Sequence, residues 1–215
     1  MMEERRTDLI IKKLKDGRNY TIRLDRHRFF FPDEWKKFVN ALKEKKRPLF
    51  EFIFNTGARF DEAAHIRPCD VDFEKCNVRL WKTKTKVKKG ESYGKPRVVS
   101  ISTQYARKLK KWANNFQNED YMFKCSIQAA NQLLKRTLKK IGIKDWYNFS
   151  THNIRKTHGM YLKALGIDIA EICTRLGHDY NTYISHYGSA DVFSDSDMRK
   201  IKELLGDLYM RSRKF

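Results

Sequence analysis

Acidic side chains are scarce in this chain. Only 26 Asp and Glu face 46 Lys and Arg, which leaves a formal net charge of +20 over 215 residues. So basic a surface is matched to a polyanion, with nucleic acid first and an anionic membrane surface second; a merely solvated, Lys-rich surface is the plain alternative. Cysteine is sparse too. Cys69, Cys76, Cys125 and Cys173 are scattered without a C-x-x-C pair or finger-like Cys/His spacing. That argues against a disulfide scaffold and a zinc module, and the four read as reduced thiols. No apolar run approaches the roughly 18 residues of a membrane span. The N-terminus, Met1-Met2-Glu3-Glu4-Arg5-Arg6, leads into no signal-peptide core. The expectation is a soluble, intracellular protein. Internal repeats, low-complexity tracts and linker-like stretches are also missing, so the chain reads as one compact domain.

What is present suffices for a core. Hydrophobic residues make up 40% of the chain and aromatics 13%, which argues against disorder. Residues 9–24 read as a β-hairpin turning at Asp16-Gly17. Phe31-Pro32-Asp33-Glu34-Trp35 starts a helix that runs to about Glu44, with Trp35, Phe38, Val39 and Leu42 on one stripe. A second helix begins near Pro48, buries Leu49, Phe52 and Ile53, and ends near Gly57. Residues 59–67 form a short helix. Residues 76–102 form a long hairpin, with one strand from Asn77 to about Lys84 and the other from Pro96 to Ser102. From Thr103 the pattern is helical over 103–115, 126–141, 151–165, 168–176, 180–186 and 195–210. The fold class is therefore α+β, predominantly helical, with a small antiparallel β-hairpin or sheet. Residues 1–30 are assigned to an N-terminal hairpin extension or linker, and 31–215 to the main domain with its C-terminal helix.

Five places carry chemistry-bearing residues. Arg59 comes just after the break at Gly57 and opens a helix, with Glu62 three residues on and placed to hold the guanidinium. An arginine at a helix N-terminus opposes the dipole, which suggests that a phosphate belongs there as well. His152 and Arg155 are spaced i,i+3 on a helix that Ser150 or Thr151 can cap and that buries Ile154, Tyr161, Leu162 and Leu165. An imidazole beside a guanidinium suits a site that clamps a phosphate and moves a proton. Leu176-Gly177-His178 ends one helix and starts the next segment, and Tyr187 follows nine residues later. On the hairpin, Lys82, Lys84 and Lys86 alternate with Thr83 and Thr85 on one strand face, followed by Lys88. Each feature alone also fits a salt bridge, a cap, a core tyrosine or a charged edge strand.

In this order the five resemble the catalytic domain of the tyrosine recombinases, or phage-type integrases. That family's pattern of A-R-x-x-E, a hairpin Lys, H-x-x-R, and L-G-H followed by Tyr is met by Ala58-Arg59-Phe60-Asp61-Glu62, Thr83-Lys84-Thr85, His152-Asn153-Ile154-Arg155, Leu176-Gly177-His178 and Tyr187. Ile66 stands in the place of the family's leucine. The resemblance runs from about Phe30 to the end. It implies a site-specific recombinase that cleaves and rejoins DNA through a 3′-phosphotyrosine. Tyr187 would be the nucleophile, Arg59 and Arg155 the phosphate clamps, Lys84 the general acid and His152 and His178 phosphate ligands, with Glu62 in support. No cofactor and no metal is implied, and the resemblance places the protein in the cytoplasm, nucleoid-associated and of prokaryotic or viral origin.

The partner implied is double-stranded DNA, with Lys82, Lys86, Lys88, Lys135, Arg136 and Lys139 as further contacts. On the helix over 126–141, Ile127, Leu134 and Leu138 are expected inside. Met198, Ile201, Leu204, Leu205, Leu208 and Tyr209 form a C-terminal apolar stripe. It would either pack on its own domain or support self-association on DNA of a protein that is monomeric in free solution. Relatives carry a helical DNA-clamping domain before the catalytic one, so an excised fragment or a short natural member both fit. A type IB topoisomerase and a non-catalytic DNA-binding protein of the same fold are the alternative functions.

Overall fold

The computed structural model describes residues 9–13, 19–23, 28–81, 96–187 and 192–208, without the side chains of 9–13, 19–23 and 185–187. Two strands, β1 (Leu9–Lys13) and β2 (Asn19–Arg23), pair antiparallel with Leu9 opposite Arg23 and Lys13 opposite Asn19. This is the expected hairpin; its Asp16-Gly17 turn lies outside the described residues. A second antiparallel sheet has the order β3 (Val71–Asp72), β4 (Asn77–Leu80), β5 (Arg97–Ser100). The last two form the base of the long hairpin, closing with Leu80 opposite Arg97. The short β3 was not anticipated. Lys82, Lys84, Lys86 and Lys88 lie outside the described residues.

Helices form the rest: α1 (Pro32–Ala41), α2 (Arg47–Thr56), α3 (Phe60–Ala64), α4 (Thr103–Ala113), α5 (Ile127–Lys140), α6 (Thr151–Ala164), α7 (Ile169–Leu176), α8 (Tyr180–Tyr187) and α9 (Asp195–Leu205). The start of α1 is capped by its own Glu34, which accepts from the backbone N–H of Phe31 at 3.0 Å. The helix ends at Ala41, three residues before the expected Glu44, because Leu42 turns extended and is buried in the core. Arg47 takes over the open carbonyls, donating to Leu42 O at 3.0 Å and Asn40 O at 3.1 Å.

The core is largely aromatic. Trp35 stacks on Phe54 at 4.4 Å, and Phe30 meets Trp35, Phe38 and Phe149 at 5.5, 5.5 and 4.6 Å. Such pairs contribute about 0.5–1.5 kcal/mol each beyond their buried area. The segment entering α1 belongs to this core. Arg28, Phe29 and Phe30 are buried, Phe30 N–H donates to Thr157 Oγ1 at 2.9 Å, and Tyr161 OH donates to Phe30 O at 3.1 Å. Buried Arg28 is paired with Glu34 and, at 3.1 Å, with Asp145.

At the centre lies α6, buried on nearly every side from Thr151 to Leu162, with His152 exposed. Ser150 precedes it as the N-cap residue, and its N–H donates to Asn153 Oδ1 at 2.7 Å. One expectation fails on α5. Leu134 and Leu138 are buried with Ala130 and Thr137, but Ile127 is 45% exposed, because the first turn of α5 extends past the core. The C-terminal helix is shorter than expected and packs on its own domain. It stops at Gly206, buries Ile201 and Leu205, lies along α1 with Lys36 donating to Glu203 at 2.9 Å, and is followed by Asp207, which accepts from Thr103 N–H at 2.8 Å, and by buried Leu208. Tyr209 lies outside the described residues.

Gly57 ends α2 in the left-handed region at φ 65°. A Cβ there would sit 2.6 Å from Leu176 Cδ2 and 2.7 Å from His158 Cδ2. Glycine is therefore required both for the backbone turn and for the close approach of α6 and α7. Gly57→Ala is expected to lower the unfolding free energy by about 2–4 kcal/mol, the sum of left-handed strain and overpacking; urea denaturation measures it.

Candidate active site

One buried carboxylate organises the site. Glu62 lies in α3 and is 2% exposed. Its Oε1 accepts from Arg59 Nη1 at 3.1 Å and Arg97 Nη1 at 2.6 Å; its Oε2 accepts from the Arg59 backbone N–H at 2.6 Å and Arg97 Nη2 at 2.7 Å. Arg155 Nη1 is 4.0 Å away. Burial alone would push this carboxyl up. The two bonds and the charge of Arg97, the Arg59 N–H and the charge of Arg155 together outweigh burial and hold it below the ordinary glutamate range.

The arginines are also held by helix ends. Two helices terminate in left-handed glycines, α2 at Gly57 and α7 at Gly177. Their last carbonyls have no partner within the helix and lie at the negative end of its dipole. Gly57 O accepts from Arg155 Nη1 at 2.6 Å, Leu176 O accepts from Arg155 Nη2, and Gly177 O accepts from Arg59 Nη2 at 3.1 Å. These are neutral acceptors. Three guanidiniums around a single carboxylate therefore leave two positive charges in excess. The Glu62 cluster borders a cavity of about 200 Å³ lined by Ala58, Arg59, Phe60, Asp61, Glu62, Ile127, Thr151, His152 and Arg155, where the exposed carboxylate of Asp61 lies 3.6 Å from His65.

The structure brings Arg59, Glu62, His152 and Arg155 together around this cavity, with Arg59 partly exposed, His152 exposed and Arg155 buried. His178 follows Gly177, and its N–H donates to Cys173 O at 3.0 Å. Tyr187 is the last residue of α8, which packs against α6 and α7; its side chain lies outside the described residues. Lys135, Arg136 and Lys139 lie further along α5, with Lys139 Nζ 5.5 Å from the centre of the Trp146 ring. Two larger clefts of about 460 and 580 Å³ adjoin Trp112, and of the expected residues only Arg136 touches either. Guanidiniums fixed by hydrogen bonds, not size or the number of cations, single out the smaller cavity.

Sequence reasoning missed a second layer. Arg97, the first residue of β5, clamps Glu62 and donates from Nε to Arg175 O at 2.9 Å. Arg175 is buried in turn and donates to His158 Nε2 at 2.8 Å, to Asn55 O at 3.1 Å and to Ser100 O at 2.5 Å. Burial lowers its pKa to about 10. Burial first, then the charge of Arg175, holds His158 well below the usual histidine range, so its Nε2 serves as an acceptor and its proton sits on Nδ1. Nothing distinguishes Arg97 in a strand reading R-V-V-S, where a lone charge reads as solvated.

The model of the phage integrase family matches residues 28–192. The chain belongs to the phage integrase family. Among curated relatives, this integrase-family chain is 27% identical over 144 residues to tyrosine recombinase XerA of Saccharolobus solfataricus, a match covering 66% of this chain and 45% of that protein. It is 26% identical over 155 residues to transposase A from transposon Tn554 of Staphylococcus aureus, covering 65% and 37%. It thus spans about half the length, or less, of the curated relatives it matches. Solved structures sharing the fold include a XerA recombinase (TM-score 0.60, 20% identity, 83% of this chain and 65% of that one). Another is the Tn1549 transposon integrase in complex with a circular intermediate DNA (TM-score 0.64, 13% identity, 83% and 66%). The fold is that of tyrosine recombinase catalytic domains, as expected.

Glu62→Gln would leave buried guanidiniums facing a neutral amide and is expected to cost about 3–5 kcal/mol of stability at neutral pH. Because the folded-state pKa is depressed, the carboxylate's contribution is complete above its unfolded value of about 4.3 and disappears as pH falls through the lower folded value. The stability gap between wild type and Glu62→Gln should be full at pH 7 and shrink below about pH 4; urea titrations at both pH values measure it.

Proposed function

We propose that this chain is the catalytic part of a site-specific DNA recombinase that cuts and rejoins strands through a covalent bond to Tyr187. The observation that carries the reading is the cavity bordered by Arg59, His152 and Arg155, where Arg59 and Arg155, with Arg97 behind them, share the one buried carboxylate of Glu62. Such a site is preorganised for a phosphodiester whose charge grows in the transition state. The Tyr187 phenolate attacks the scissile phosphorus and the 5′-oxygen leaves, so a 3′-phosphotyrosine retains the bond for rejoining. Arg59 and Arg155 stabilise the non-bridging oxygens. His152 and His178 hydrogen-bond the phosphate, and His152 takes part in proton transfer with the tyrosine. Lys84 protonates the leaving oxygen. Lys82, Lys86 and Lys88, with Lys135, Arg136 and Lys139 on α5, contact the backbone of double-stranded DNA.

The relatives support this reading. A XerH site-specific recombinase of the same fold has been solved bound to its difH substrate (TM-score 0.59, 19% identity, 88% of this chain and 58% of that one). We place the protein in the prokaryotic cytoplasm with the nucleoid, in line with archaeal and bacterial relatives. Among the described residues no helix is long and apolar enough to cross a membrane. Self-association on DNA through the C-terminal helix requires an exchange, because α9 buries Ile201 and Leu205 against its own domain.

Nicked suicide DNA mixed with wild type is expected to give a slow-migrating covalent adduct on a denaturing gel, and Tyr187→Phe none. An adduct that survives in Tyr187→Phe overturns the assignment of the nucleophile, and a wild type that forms none on any substrate overturns the catalytic reading. Relaxation of supercoiled plasmid by the lone protein would favour the topoisomerase alternative.

Binding should be strongly salt-sensitive, log K falling against log[salt] with a slope of about −0.9 per phosphate neutralised; fluorescence anisotropy between low and physiological salt measures it.

A further inference from the structure

Arg97 was not among the residues the sequence singled out, and it does not line the 200 Å³ cavity. Yet it makes the shortest side-chain bonds to Glu62, 2.6 and 2.7 Å, one to each oxygen. A carboxylate offers about four lone-pair positions. On Glu62 two are taken by Arg97 and two by Arg59, through its backbone N–H and its Nη1. Arg97 therefore supplies half of what fixes the carboxylate that fixes Arg59. Its Nε anchors on Arg175 O, one residue before Leu176, whose carbonyl holds Arg155. It is also the last rung of the β4–β5 ladder, opposite Leu80, so it stands at the base of the hairpin whose next residues include Lys82 and Lys84.

We propose that Arg97 is a positioning residue for phosphoryl transfer, acting through Glu62 to fix the guanidinium of Arg59 and through Arg175 O to join the start of β5 to the last turn of α7. This rests on the recombinase reading for its reaction, but not for its geometry. The planar fork of an arginine is needed: lysine carries the charge and cannot grip both oxygens in fixed register. The charged groups that face Glu62 are Arg59 beside it, Arg97 from β5 and Arg155 from α6. With Arg97 removed, burial remains and the largest compensating influence is gone, so the carboxyl rises towards protonation.

The test compares wild type, Arg97→Lys, Arg97→Gln, Glu62→Gln and the double variant in single-turnover cleavage of suicide DNA from pH 5 to 8, with DNA affinity and melting temperature measured alongside. At saturating DNA, Arg97→Gln is expected to cleave about 100-fold more slowly, as small misplacements of a catalytic group do. Its affinity should stay within about threefold, so the loss falls on the rate and not on binding. It should also gain an acid limb that wild type lacks. Arg97→Lys should recover part of the rate, and the double variant should be no slower than the slower single variant. A wild-type rate in Arg97→Gln, losses that multiply in the double variant, or an unchanged pH profile with only a lower melting temperature overturns the proposal. Should wild type form no adduct, the recombinase reading fails by itself. Arg97 is then judged on the free protein, by carbon-13 titration of the Glu62 carboxylate and by binding of inorganic phosphate. A raised Glu62 pKa with weaker phosphate binding in Arg97→Gln supports its role, and no change in either overturns it.

Discussion

A single carboxylate out of contact with water holds this molecule's cationic centre together. Glu62 gathers guanidiniums from the start of α3, from β5 and from α6, which are far apart in the chain. Like charges at such spacing repel, and without a shared counter-charge the three elements would be driven apart. Complete neutralisation would leave nothing for an anion. The arrangement stands between these limits: enough negative charge to fix the arginines, too little to cancel them.

Helix ends supply the remainder. Gly57 and Gly177 stop α2 and α7 in left-handed turns, and the freed carbonyls accept from Arg155 and Arg59. Carbonyl dipoles orient a guanidinium without removing its charge, which is what a phosphate site requires. The close approach of α6 and α7 at Gly57 is therefore a constraint on chemistry as well as on packing. The same logic reaches inward through Arg175 and neutral His158, where a buried cation is satisfied by ring and carbonyl acceptors.

Family membership covers most of the described body, yet the chain spans only about half of its curated relatives. Contacts to a phosphate carry no sequence information by themselves, so a site of the proposed kind would position DNA without reading it. The helix at the C-terminal end folds back on α1, so its apolar stripe is already occupied within one protomer. Any role in assembly would begin with its release.

The sequence by itself determined the order of the helices and of the two hairpins, because helical and strand periodicities act over a few residues; it marked Arg59, Glu62, His152, Arg155, His178 and Tyr187 through their resemblance to the tyrosine recombinases. It also revealed the cap before α6 and the glycine stops at Gly57 and Gly177, which are local backbone chemistry. Ile127 was misassigned because helical spacing does not tell where the core ends. Periodicity likewise could not show whether the C-terminal stripe turns to its own α1, nor that α1 stops where Leu42 drops into the core. Only the tertiary structure decided that Arg97, on a strand where a charge looks solvated, closes over Glu62, and that Arg175 lies buried against His158. The physical reason is range. Hydrogen bonds between residues 35 or 120 positions apart leave no trace in local pattern, and whether a charge is solvated or buried depends on which elements pack over it.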